Sequence, residues 1–180
     1  MSDNIASLRR ITSDTAWRGV VNSFLSGSTQ LPFSTEDFGT YWIEGGHHIR
    51  EQVANDRLLS QFLRAVLPPY SNGPVALFRG ENQDRLSSGL LGFSWTSDSN
   101  VASMFAKGLN AVGSGGVLVT ATLDAPAIIS GPSAHSLYLG EHQYTVDPSC
   151  VTGMHTVATF PTMQPNNSFQ RTSTRYAGVR

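Results

Sequence analysis

Gly113-Ser114-Gly115-Gly116-Val117-Leu118-Val119-Thr120-Ala121-Thr122-Leu123-Asp124-Ala125-Pro126 joins a glycine-rich break, a run of strong β character and a turn. Branched side chains such as Val and Thr pack well on a pleated surface, and a short apolar run bounded by turn residues reads as a half- or fully buried strand. A strand is therefore predicted over residues 117–123, ended by Asp124-Ala125-Pro126. The glycine stretch lacks the spacing and the lysine of a phosphate loop, so it reads as a hinge or turn. Working outward, further strands are predicted over 75–79, 92–96 and 138–146, the last alternating its side chains and stopping at Asp147-Pro148. Between them a helix is predicted over 99–107, capped by Asp98 or Ser99, with Val101, Ala102, Phe105 and Ala106 on its buried side.

The first 70 residues have a different period. Trp17, Val20, Val21, Phe24 and Leu25 recur at helical spacing within a helix expected over 14–25. Ile49, Val53, Asp56, Leu59, Phe62, Leu63, Val66 and Leu67 read as one amphipathic helix stopped by Pro68-Pro69. Glu44-Gly45-Gly46-His47-His48 reads as the exposed start of that helix. Neighbouring histidines on a helix do not point at one ligand position, so no metal site is expected there. The chain thus divides into a helical N-terminal region packed on the core (1–70), a sheet-containing region (71–160) and a flexible tail (161–180) rich in Pro, Asn, Ser, Thr and Arg. The fold class is α+β.

Composition narrows the partners. The chain has 180 residues, 39% hydrophobic and 14% charged, with a formal net charge of -1. That balance gives no broad positive field for nucleic acid. A single cysteine, Cys150, excludes an intramolecular disulfide framework and a cysteine-rich zinc site. No apolar run approaches the roughly 20 residues that span a bilayer, and the first ten residues lack the apolar centre of a signal peptide. A cytoplasmic protein, or one exported without a cleaved signal, is expected.

Three fragments stand in a particular order: Leu77-Phe78-Arg79-Gly80-Glu81, then Gly92-Phe93-Ser94-Trp95-Thr96-Ser97-Asp98, then Gly140-Glu141-His142-Gln143-Tyr144-Thr145-Val146-Asp147-Pro148. Together they resemble the arginine, serine-threonine-serine and glutamate-x-glutamate signatures of the ADP-ribosyltransferase family, over residues 75–148 or about two-fifths of the chain. The resemblance implies a pair of small packed sheets behind the helical lead-in, with NAD as substrate and a macromolecule, such as a protein, as acceptor. Such activities occur in toxins and effectors. The resemblance assigns NAD binding to Arg79, with Gly80 beside it, and to Ser94, Trp95 and Thr96. Trp95 stands where the motif ordinarily has a small polar residue.

The chemistry explains the residue types. The pyrophosphate of NAD carries two negative charges, and a guanidinium meets such oxygens through a planar fork of donors. Cleavage of the nicotinamide–ribose bond passes through a sugar cation that a nearby carboxylate stabilises as it forms. On a strand running through 138–146, Glu141 and Gln143 would share a face. In the family the second of these positions is the catalytic glutamate, and here it is Gln143. An amide accepts a hydrogen bond but brings no full charge. A charge pair at about 4 Å in an effective dielectric near 20 is worth on the order of 4 kcal/mol, or roughly a thousandfold in rate. Three readings follow: Glu141 serves as the catalytic carboxylate, Gln143 replaces the glutamate of an active parent, or the domain binds NAD or a partner without turnover. An NAD glycohydrolase, with water as acceptor, would use the same binding residues.

Overall fold

In the computed structural model, which describes residues 3–162, four helices precede the first strand: α1 Asp3–Ser13, α2 Trp17–Leu25, α3 Thr35–Val53 and α4 Asp56–Val66. The single helix expected from the apolar stripe over 49–67 is two helices. Ala54 adopts the left-handed conformation at φ 49°, and the Asn55 side chain accepts a hydrogen bond from the Leu58 N–H, so one helix ends and the next is capped within two residues. Asparagine favours such caps because its short side chain competes for nearby backbone groups. The stripe continues across the break because both helices bury their apolar residues in the same core. Helix α3 also begins earlier than expected, at a Ser34 cap that accepts from the Asp37 N–H, so Gly45 and Gly46 lie within it. Trp17, Phe38, Ile49, Leu59, Phe62 and Leu63 are fully buried between these helices.

The second half carries β1 Val75–Asn82, α5 Gln83–Ser87, β2 Ser94–Thr96, α6 Ser99–Lys107, β3 Gly116–Leu123, β4 Ile128–Ser130, α7 Ala134–Tyr138, β5 Gln143–Val146 and β6 His155–Phe160. The mixed α+β class is as expected. The strands, however, form one antiparallel six-stranded sheet in the order β4-β5-β2-β1-β3-β6, where a pair of packed sheets was expected. The two triplets β4-β5-β2 and β1-β3-β6 meet where Phe78 of β1 lies opposite Thr96 of β2. Strand β2 is only three residues long, so the junction between triplets is narrow. The strand predicted over 138–146 is also shorter: Tyr138 ends α7, His142 has φ 46°, and β5 starts at Gln143. Of the tail predicted over 161–180, residues 163–180 lie outside the described residues.

Glycine sets how close the layers come. A β-carbon at Gly80 would overlap the Ala102 carbonyl and the Ala106 nitrogen, and one at Gly116 would overlap the Ala106 carbonyl. Helix α6 therefore lies directly on β1 and β3 through the buried Ala102 and Ala106. Phe93 and Ile129 reach from the sheet region into the helical core, and the Trp42 indole donates to Thr145 Oγ1 at 2.9 Å. These contacts bring α3 against the side of the sheet that carries the narrow junction. No described helix is long and apolar enough to cross a membrane.

Candidate functional site

Arg79 leaves β1 beside that junction. Its Nε and Nη2 both donate to Glu81 Oε2, at 2.9 and 2.7 Å, and its Nη1 donates to the Ser94 carbonyl of β2. The guanidinium lies over the α-carbon of Gly92, where any side chain would overlap it. Glu81 is 1% exposed and also accepts from the Asn82 N–H and, at 3.3 Å, from Arg85 Nε. Burial opposes ionisation of Glu81, yet Arg79, the Asn82 N–H and Arg85 together outweigh it and hold the carboxyl below its ordinary range. Arg79 is thus a tightly held cation bridging β1 and β2.

The Thr96 and Gln143 positions face each other across the β2–β5 ladder, and Phe78 extends the same row into β1. Directly opposed residues of antiparallel strands hold their side chains close together. Thr96 Oγ1 donates to the Glu141 carbonyl at 2.7 Å and accepts from the Asp98 N–H, tying the α7–β5 connection to the start of α6. Contrary to the expectation of a shared strand, Glu141 lies outside β5, because the left-handed His142 intervenes before Gln143. The Gln143 N–H donates to Ser136 Oγ at 2.6 Å, whereas its side-chain Nε2 is buried without a hydrogen-bond partner. On the far side, His135 Nε2 and Glu44 Oε1 lie 2.9 Å apart and link α7 to α3.

All seven residues assigned from the resemblance, Arg79, Gly80, Ser94, Trp95, Thr96, Glu141 and Gln143, line one cavity of about 410 Å³ between α3, α6 and the sheet junction. Their parts in its wall differ. Gly80 matters first as the place where α6 seats on β1. The Trp95 ring is 1% exposed in the sheet core, with its indole N–H on the Gly92 carbonyl. Val101 and Phe105, expected as core, are only partly buried and form part of the cavity wall.

Several lining residues escaped the sequence reading. Ile43, Glu44 and His47 stand at helical spacing on α3 and form the wall opposite the sheet. Their i, i+4 pattern was the available signal, hidden because this segment read as an exposed helix start. Burial first, and then His48, lower the His47 pKa, while Glu51 opposes, so the imidazole favours its neutral form. Asn110 closes the floor by donating to the Gly80 carbonyl at 2.9 Å. A larger neighbouring cavity of about 870 Å³ shares Ile43, His47, Arg79, Ser94 and Asn110 with the first, and adds Arg50, Glu81 and Arg85. Among the described residues, no group of three or more His, Cys, Asp or Glu side chains is arranged to hold a metal ion. No protein-family model, curated protein or solved structure matches this chain.

Proposed function

We propose that this protein is an ADP-ribosyltransferase-like enzyme that binds NAD, breaks its nicotinamide–ribose bond and passes ADP-ribose to a macromolecular acceptor, as toxins and effectors of that kind do. One observation carries the reading: the residues picked out by three separate sequence fragments line a single cavity on the sheet junction. Two carboxylates line that cavity on the α3 and α7–β5 sides, Glu44 and Glu141. Glu44 is paired with His135, and Glu141 has no ion pair among the described residues. Glu141 is therefore the group available to stabilise positive charge as the ribose–nicotinamide bond breaks and its electron pair passes to the nicotinamide ring nitrogen. An acceptor hydroxyl, amine or guanidine then bonds to the ribose carbon and releases its proton to solvent. The amide of Gln143 supplies a hydrogen bond to a ribose hydroxyl, and Thr96, whose own proton goes to the Glu141 carbonyl, accepts one.

The decisive measurement is nicotinamide release from NAD, with and without protein acceptors. Glu141→Gln is expected to lower release, and Gln143→Glu to raise it by up to roughly a thousandfold, the worth of a full charge near the ribose. Unchanged release in Glu141→Gln refutes the assignment. The unpartnered Nε2 of Gln143 favours a second reading, a domain that holds NAD without turnover, because an amide donor can bind a hydroxyl but cannot offset a cation. NAD binding with no release in either the parent or Gln143→Glu selects that reading.

A further inference from the structure

The larger cavity is lined by three arginines and three carboxylates whose pairing is uneven, a feature the proposed chemistry has not used. Three arginines line it, and two are committed. Arg50 forms a two-point pair with Asp56, at 2.8 and 2.6 Å, and also donates to the Leu91 carbonyl. Arg79 forms its two-point pair with Glu81, is held against Gly92 and is 14% exposed. Arg85 shares Glu81 only through Nε at 3.3 Å, and its side chain is 46% exposed. One buried carboxylate thus stands between two guanidiniums, and Arg85 is the more exposed and less tightly bonded of them. The remaining carboxylate on this wall, Glu51 of α3, makes no ion pair with any of these arginines among the described residues.

From this arrangement we infer that Arg85 is the principal phosphate-binding residue of a nucleoside diphosphate subsite in the larger cavity, with Arg79 a positioning residue that fixes β2 rather than the main anion contact. The inference rests on the proposed NAD chemistry for its ligand class and moves the pyrophosphate away from the arginine that the family resemblance selects. Guanidinium donors suit paired phosphate oxygens, and those of Arg79 are largely occupied by Glu81 and Ser94. The two cavities adjoin along Arg79 and Ser94, so a two-part ligand lies across that shared wall. Its ribose and base face Glu141 and Gln143, while its diphosphate and second nucleoside fill the larger space.

Calorimetric titration with ADP and with nicotinamide riboside, which has no phosphate, separates the two halves. Arg85→Ala should weaken ADP at least about tenfold, the loss of one charge-assisted pair. Arg85→Lys should fall between, because the charge survives and the fork does not. Riboside affinity should stay within about twofold, and the salt dependence of ADP binding should flatten in Arg85→Ala. Equal ADP affinity in the parent and Arg85→Ala overturns the inference, as does a parallel loss for the riboside or a parent that does not bind ADP. Unaltered melting temperatures show that both variants fold. ADP binding through Arg85 without nicotinamide release sustains the subsite and removes the transferase reading. Nicotinamide release with an unchanged KM for NAD in Arg85→Ala does the reverse.

Discussion

Replacing Arg79 with methionine retains the length of the side chain, deletes its charge and leaves Glu81, 1% exposed, with Arg85 as its remaining cation at 3.3 Å. Removing one partner of a buried ion pair commonly costs about 3–5 kcal/mol, because the other charge stays buried. Arg85 offsets part of this, so a loss near the lower end, about 3 kcal/mol at pH 7, is expected. For a chain of this size that corresponds to a fall in Tm of roughly 6–12 °C. The pH dependence should change sign. In the parent, the Glu81 carboxyl is held below its ordinary range, so its stabilisation is present above the unfolded pKa of about 4.3 and is lost as pH falls through the folded value. In Arg79→Met, burial dominates and the folded pKa should rise above the unfolded one. The folded state then binds the extra proton, and stability falls as pH rises through that interval. Urea denaturation of both proteins from pH 7 down to about pH 3 measures this directly. A loss below about 1 kcal/mol at pH 7, or the same slope with pH in both proteins, would refute the argument that the pair is buried and coupled.

Two further substitutions test the scaffold. Gly80→Ala should destabilise by about 1–3 kcal/mol, because the new methyl group meets the backbone of α6 at Ala102 and Ala106, which cannot yield as a side chain would; a denaturation midpoint equal to the parent's would show that the contact is looser than described. Asn55→Ala removes the cap of α4 and should cost about 1 kcal/mol, with a matching decrease in helical circular dichroism as the break between α3 and α4 frays.

The elements legible in the sequence are those whose signals agree. Helix α6 combines the Asp98 cap with apolar residues at helical spacing, and β3 combines branched residues with a bounding glycine break and a proline stop. Strands β4 and β6 were missed for opposite reasons. Ile128–Ser130 is too short to show a period, and His155–Phe160 is an edge strand with its side chains largely in solvent, so no apolar alternation marks it. The helix break at Ala54 was hidden because apolar periodicity reports which face is buried and not whether the backbone is continuous. Of the cavity wall, Arg79, Thr96 and Gln143 were named in advance from the three sequence fragments. The contribution of α3 was not, because Ile43, Glu44 and His47 belong to an earlier helix that meets the sheet only through tertiary packing. The commitment of Arg79 to Glu81 was equally hidden, although the two residues stand side by side on one face of β1.

The narrow junction between the two strand triplets has a mechanical meaning. A backbone ladder of full length would make β1 and β2 a single stiff plate, but here the alignment of Phe78 with Thr96 is supplemented by a side chain, Arg79, gripping the Ser94 carbonyl across the gap. The same guanidinium borders both cavities, so whatever displaces it to make room for a ligand also loosens a rivet between the halves of the sheet.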